Sequence, residues 1–145
     1  MQLRIVSDGL DYVIRTILAR HGLRDVPTFA NHLVQVGPRR WRLEFPYFRT
    51  ECRTLSGTCK CAFTESDATA PGARSLLIGD GASDFCVADR ADLVYAKRRL
   101  LDYCLDRFRP HRAVVNFEQA LSLLPELLGD TLAREQERPT LRPVS

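Results

Sequence analysis

Four side chains in this sequence have the types and the spacing to work on a phosphoryl group: Ser7, Lys60, Asp80 and Asp84. Asp80 and Asp84 stand four positions apart, just after the apolar run Leu76-Leu77-Ile78 and Gly79. That run reads as a short buried strand, and the C-terminal edge of such strands is where open α/β sheets bind ligands. Two carboxylates held there make a hard oxygen site suited to Mg²⁺. Burying two acids beside a core strand is costly unless a cation or a lysine compensates; the plainer alternative is that one of them caps a helix. Ser7-Asp8-Gly9 reads as a turn between a strand and a helix, a place where outward-facing amides bind phosphate. Ser7 can donate its hydroxyl to a phosphate oxygen, and Gly9 lets the backbone approach. The same tripeptide also makes ordinary turns. Lys60 lies between these two strand–turn units, where its charge can neutralise a phosphoryl group in a transition state; a solvated surface lysine is the alternative.

The elements that must hold these residues follow from the hydrophobic pattern. Residues 3–6 read as a strand. Beyond the Ser7–Gly9 turn, Leu10, Val13, Ile14, Ile17 and Leu18 fall on one helical face, and Gly22 stands where that helix should stop. Residues 28–31 and 33–36 read as extended, and Gly37-Pro38 breaks them. Trp41, Leu43 and Phe45 then alternate with Arg42 and Glu44, the period of a half-buried strand. Residues 33–45 are therefore expected to form a β-hairpin, with Trp41 in the core. Residues 50–61 read as loop, 62–70 as a short helix ended by Pro71-Gly72, and 75–78 as a strand. Ser83 is the expected N-cap of a helix that buries Phe85, Val87 and Ala88. Residues 93–96 are expected as a strand, 100–108 as a helix stopping before Pro110, and 113–115 as one more short strand. Asn116 and Gln119 resemble a capping box for a last helix carrying Leu121, Leu124 and Leu128. Pro125 predicts a kink or restart within it, and Gly129 its end. Strands alternating with helices define an α/β class with a mainly parallel sheet.

The 145 residues suit one domain with a proper core, and 45% hydrophobic with 27% charged residues is an ordinary globular composition. Net charge is +3 and the basic residues are dispersed; Arg39, Arg40, Arg42 and the pair Arg98, Arg99 are too few to suggest nucleic-acid binding. No apolar run approaches a membrane span, and the first residues lack the apolar core of a signal peptide. Five cysteines, an odd number, argue against a complete disulfide framework, so a reducing cytoplasm is the expected compartment. Cys52, Cys59 and Cys61 suggest zinc, but a fourth ligand at usable spacing is missing. From about Ala133 the chain is polar with Pro139 and Pro143, which divides it into a folded part, 1–132, and a disordered tail, 133–145.

Taken in order, Ser7-Asp8-Gly9-Leu10-Asp11, Cys59-Lys60, Gly79-Asp80-Gly81-Ala82-Ser83-Asp84 and Ala91-Asp92-Leu93-Val94-Tyr95-Ala96 resemble the phosphatases of the haloacid dehalogenase superfamily. The likeness is to the phosphoserine-phosphatase-like branch and leans toward phosphatases of methionine salvage. Those have a comparable Asn-His (here Asn31-His32), a cysteine-rich loop ending in lysine, and a late helical pair like Tyr103-Cys104. It spans residues 5–128. The resemblance implies a three-layer Rossmann-like core and Mg²⁺-dependent hydrolysis of a small phosphorylated metabolite through an aspartyl-phosphate intermediate. Ser7, Asp8 and Gly9 would form the phosphate-binding turn. Lys60 would bridge nucleophile and phosphate, Asp80 would ligate the metal, and Asp84 would hold a metal-bound water or orient Lys60. Covalent catalysis divides one hard step into two, with metal and lysine stabilising phosphoryl charge.

The family's nucleophile belongs to an Asp-x-Asp motif at the end of a first strand that should precede Leu3, and this sequence contains no Asp-x-Asp. The expectation is an N-terminally truncated core without its central first strand and without the small cap that selects substrate, and an isolated chain without turnover. The strands ending at Ser7 and Gly79 would then have unpaired edges, which are costly and prone to aggregate. Either they pair directly, or a complementing N-terminal segment or chain fills the gap, or the chain is poorly stable. A second reading is a non-catalytic module that binds phosphate and Mg²⁺ or pairs with a partner. A third, a receiver-like signalling domain using Lys97, needs an acidic cluster where Ser7-Asp8 supplies one acid.

Overall fold

A computed structural model of the chain describes residues 2–65 and 74–136. The elements run β1 (Ile5–Leu10), α1 (Asp11–Arg20), β2 (Thr28–Gly37), β3 (Arg40–Glu44), α2 (Cys61–Glu65), β4 (Leu76–Gly79), a 3₁₀ turn (Ala82–Asp84), α3 (Phe85–Ala88), β5 (Leu93–Ala96), α4 (Arg98–Asp106), β6 (His111–Ala113) and α5 (Phe117–Gln136). The expected C-terminal half of the 62–70 helix, its Pro71-Gly72 stop and the last nine residues of the tail lie outside the described residues.

The class is α/β with mainly parallel strands. β1 pairs with β2 in parallel across the α1 crossover, β2 pairs with β3 antiparallel as the expected hairpin, and β4, β5 and β6 are parallel. The strands form two separate sheets, β1-β2-β3 and β4-β5-β6. β1 and β4 do not pair with each other, so that first option for their edges is not taken.

The second sheet is the middle of three layers, because β5 is apolar on both faces. Val94 and Ala96 point to one side and are buried with Ala88, Ala91, Leu100 and Cys104 of the α3–α4 layer. Tyr95 points to the other and is buried with Val114 and Ala120, flanked by Leu123 of α5. A near-continuous apolar strand covered on both faces is the signature of a parallel sheet. Small residues at 88, 91 and 96 let helices and sheet approach closely, and Leu100 fills the space with no exposed surface.

Several sequence expectations are corrected. Residues 7–9 do not turn; they stay extended within β1, and the pairing slips between Val6↔Phe29 and Leu10↔Asn31, a bulge in which β1 takes more residues than β2. The helix after it ends as expected: Gly22 adopts φ +74°, and the amides of Gly22 and Leu23 bond to the carbonyls of Ala19 and Leu18 at 3.2 and 2.9 Å. Its apolar stripe is wider than what covers it, since Val13 and Ile17 are exposed. Trp41 is 52% exposed rather than in the core, and Leu43 and Phe45 are exposed with it. Ser83 is not an N-cap but lies inside the 3₁₀ turn. α4 starts at Arg98, which takes a left-handed φ of +51°, and β6 precedes the expected 113–115. α5 passes through Pro125 and Gly129 without stopping. Leu121, Pro125 and Gly129, spaced by four, share its exposed side, and Pro125 has no amide to give the Leu121 carbonyl. Its start is as expected: Asn116 Oδ1 accepts from the Gln119 amide and Gln119 Oε1 from the Val115 amide, both at 2.9 Å.

Candidate functional site

Lys60 and Asp84 form a salt bridge with side chains only 13% and 5% exposed. Lys60 is delivered by the loop before α2, Asp84 by the end of the 3₁₀ turn that follows β4. The Asp84 carboxylate is turned back over that turn: Oδ1 accepts from Lys60 Nζ, and Oδ2 accepts from the Asp80 and Gly81 amides at 3.1 and 3.0 Å. It makes no side-chain cap to α3. The acceptor that closes the turn is thus the Asp84 carboxylate bonded to the Gly81 amide, and not a Ser83 hydroxyl. Gly79 is required where it stands: a Cβ there would come within 2.6 Å of Asp84 Oδ2. A buried carboxylate with this many charged and amide donors is compensated in the way burial demands.

Asp80 sits beside that pair with its side chain 43% exposed, approached by Arg98 Nη1 at 3.4 Å. The left-handed backbone of Arg98 belongs to the turn that leads α4 away from this edge. There the Lys97 amide bonds to the Gly79 carbonyl at 3.2 Å and the Leu100 amide to the Asp80 carbonyl at 3.4 Å.

From the other sheet, Asp8 reaches the same loop. Its Oδ1 accepts from the Thr58 amide at 2.8 Å, and its carbonyl accepts from Asn31 Nδ2 at 2.7 Å. The Thr58 hydroxyl donates to Asn31 Oδ1 at 3.1 Å, so Asp8, Asn31 and Thr58 close a polar ring in which Asn31 and Thr58 are buried and Asp8 is exposed. Gly57 makes room for it, since a Cβ there would lie 2.8 Å from Asn31 Oδ1 and 2.7 Å from the Phe45 ring. The Ser7 hydroxyl accepts from the Gly9 amide at 3.0 Å. The structure thus joins Lys60, Asp84 and Asp80 at the end of β4, and ties Asp8 to them through Thr58. The Ser7 and Gly9 contact is local to the β1 bulge.

Around this centre, Leu33 NH donates to Asp11 Oδ1 at 3.2 Å, and His32 Nε2 lies 4.0 Å from Asp11 Oδ2. The His32 ring meets Tyr47 edge-on. Sequence reasoning missed Thr58, read as plain loop, although the glycine before it was a signal of close packing. It also missed the anchor of that loop. Arg53 donates to Asp89 Oδ2 at 2.6 Å and to the Tyr103 hydroxyl at 2.9 Å, and Tyr103 donates to Asp89 at 2.8 Å while stacking on Phe85. Burial works to raise the Asp89 pKa, but the hydrogen bonds of Arg53 and Tyr103, with the charges of Arg53 and Arg109, outweigh it and hold the carboxyl below its ordinary value.

Mg²⁺, which the resemblance implies, can be weighed against these donors. Asp80 offers a half-exposed carboxylate, whereas both Asp84 oxygens are engaged by Lys60 and the turn amides. Among the described residues no group of three or more His, Cys, Asp or Glu is arranged to hold a metal. Mg²⁺ keeps several waters and commonly binds through one or two carboxylates plus substrate phosphate, so Asp80 fits that mode and a closed protein cage does not.

No family model matches the chain. Curated relatives do. A 2-hydroxy-3-keto-5-methylthiopentenyl-1-phosphate phosphatase of Exiguobacterium sp. is 32% identical over 101 residues, 69% of this chain and 45% of that protein. Proteins of the same name from Brevibacillus brevis and Microcystis aeruginosa are 30% identical over 128 residues and 32% over 113, which is 88% and 78% of this chain. The chain spans about half the length of the curated relatives it matches (57% and 51% of the last two). Together with the α/β fold and the Asp80–Asp84 turn after β4, these matches show that the chain belongs to the haloacid dehalogenase family, on the branch of these phosphatases.

Proposed function

We propose that the chain is the phosphoryl-holding core of an Mg²⁺-dependent phosphomonoester hydrolase acting on a small phosphorylated metabolite in the cytoplasm. The observation that carries this reading is the buried Lys60–Asp84 pair at the C-terminal end of β4, linked through Thr58 to Asp8 of β1. Lys60, held by Asp84, would neutralise the transferring phosphoryl group. The two outcomes that the resemblance left open for Asp84, a metal-bound water or the orientation of Lys60, are weighted by its contacts toward the second. Ser7 and Gly9 would bind phosphate oxygens from the β1 bulge, with the Ser7 hydroxyl leaving the Gly9 amide to donate outward. Asp80 would hold the metal, which supplies charge neutralisation on the phosphate when bound. The relatives' name gives the substrate class: a hydroxy-keto methylthiopentenyl chain bearing one phosphate ester.

The sequence holds no Asp-x-Asp to act as nucleophile, so the isolated chain is expected to bind phosphate without turning over. Purified protein with p-nitrophenyl phosphate and Mg²⁺ should give no release above buffer. Phosphate with Mg²⁺ should raise its melting temperature by mass action, and Asp80→Asn should abolish the Mg²⁺ part of that shift. Robust turnover would overturn the inactivity, and a melting temperature indifferent to both ions would overturn the site.

A second reading has its own observation. Among the described residues β1 and β4 each have a strand neighbour on one side only, β2 and β5 respectively, and one loop bonds to both, through Thr58 to Asp8 and through Lys60 to Asp84. A complementing segment or partner chain that adds an extended strand there would make a regulatory or reconstituted module. Recovery of phosphatase activity on mixing with such a segment would favour complementation.

A further inference from the structure

Four of the five cysteines gather beside the candidate site: Cys52, Cys59, Cys61 and Cys86 form one buried cluster with Val87. Their spacing lacked a fourth member in the sequence, and α3 supplies it. The structure does not use the four as a metal cage. Instead Cys61 and Cys86 are joined in a disulfide, while Cys52 and Cys59 are free thiols.

The place of this bond gives it meaning. Cys61 is the residue after Lys60, and Cys86 is two residues after Asp84. The cross-link therefore joins the same two backbone stretches as the Lys60–Asp84 ion pair. α2, which starts at Cys61, has only five residues, too few for a helix to hold its shape without tertiary support. The disulfide is one such support, beside the packing of Phe63 on Phe29 and Tyr47. In a reducing cytoplasm, the compartment proposed above and on which this inference rests, a disulfide is of the redox-sensing rather than the framework kind.

We propose that Cys61–Cys86 is a redox staple: oxidised, it locks Lys60 onto Asp84; reduced, it lets α2 and Lys60 move away from the acidic turn. The oxidant class is a low-molecular-weight disulfide such as oxidised glutathione. One cysteine thiolate attacks it, forming a mixed disulfide and releasing one small thiol. The other cysteine then displaces the second small thiol and closes the Cys61–Cys86 bond. The protein dithiol loses two electrons and two protons, and the small disulfide gains them as two thiols; reduction runs the same exchange backwards.

The test uses the full chain equilibrated in glutathione buffers of graded redox ratio, trapped with iodoacetamide and read by peptide mass spectrometry. Two cysteines, Cys61 and Cys86, should become protected together as the buffer grows oxidising. Cys61→Ser and Cys86→Ser should lose that transition and Cys52→Ser should keep it. In parallel, acetylation of Lys60 by limiting acetic anhydride should be several-fold slower in the oxidised form than in the reduced one. Cys61→Ser should show the fast rate in every buffer. The wild-type titration alone decides the first point, so a variant that folds poorly does not rescue the idea. A pair that stays bonded, or stays thiol, across all buffers overturns it. So does a transition mapping to Cys52 and Cys59, protection of all four thiols by added zinc, or a Lys60 rate blind to redox state. None of these readouts needs turnover, so their failure leaves the phosphatase reading standing.

Discussion

Lys60 and Asp84, from a loop and a turn that are 24 residues apart in the chain, neutralise each other in a position almost closed to solvent. Removing the lysine would strand a buried carboxylate, which typically costs about 3–5 kcal/mol. Lys60→Met should therefore lose stability of that order in urea unfolding. Asp84→Asn keeps an oxygen for the two amides and removes the charge, so Lys60→Met combined with Asp84→Asn should be less destabilised than Lys60→Met alone. Equal losses in the single and double variants would mean that the pair is not coupled.

Gly79→Ala tests how tightly the acidic turn is wrapped. The added methyl would lie 2.6 Å from the Asp84 carboxylate, which is fixed by three donors and cannot swing aside cheaply. Overpacking of this kind costs about 1–3 kcal/mol. The expected result is a lower melting temperature and a Lys60 amine that reacts faster with acylating reagents. An alanine variant as stable as the parent would show that the turn has slack.

In the α3–α4 layer, Leu100 is fully buried against Val94 and Cys104. Leu100→Ala should cost about 2–5 kcal/mol through lost burial and the cavity left behind. Since the site turn hangs from the same helix start, through the bond of the Leu100 amide to Asp80, the variant should also weaken any phosphate-induced rise in melting temperature. Denaturant midpoints with and without phosphate measure both effects.

Much of this fold was legible, and the reasons for the rest are physical. β5 was placed at its bounds because its run of apolar residues is local information. Gly22 and Gly37-Pro38 marked a helix end and a hairpin for the same reason. The Ser7–Gly9 segment was read as a turn because its residues favour one. What keeps it extended is tertiary: the Asn31 side chain on the Asp8 carbonyl and the Thr58 amide on the Asp8 carboxylate. Alternation in β3 correctly gave a strand, but alternation reports which residues share a face and not whether anything covers it, so Trp41 was misplaced. At the site, the types and order of Lys60, Asp80 and Asp84 were readable. Asn31–Thr58 and Arg53–Asp89 were not, because partners 27 and 36 residues apart leave no periodic trace.

The Arg53–Asp89–Tyr103 contact predicts an acid-sensitive anchor. Asp89 has a folded-state pKa below its ordinary 3.8. A lowered carboxylate contributes stability that is fully present above the unfolded value and lost as pH falls through the folded one. Stability should therefore decline below about pH 4, and Asp89→Asn should be less stable at neutral pH yet show a shallower acid decline. Urea unfolding between pH 2 and 7 for both proteins checks the slope, and parallel curves would remove Asp89 from the account.

The loop bearing Arg53, Thr58 and Lys60 reaches α3 and α4, the β1–β2 ends and the acidic turn in succession. Among the described residues, two sheets that share no ladder are thus linked through this loop, together with Phe63 of α2 packed on Phe29 and Tyr47. A protease nick in the loop should lower the melting temperature, while a nick in the β2–β3 hairpin tip should leave it nearly unchanged. Whatever tightens or loosens this loop should therefore change the spacing of the phosphate side from the acidic side.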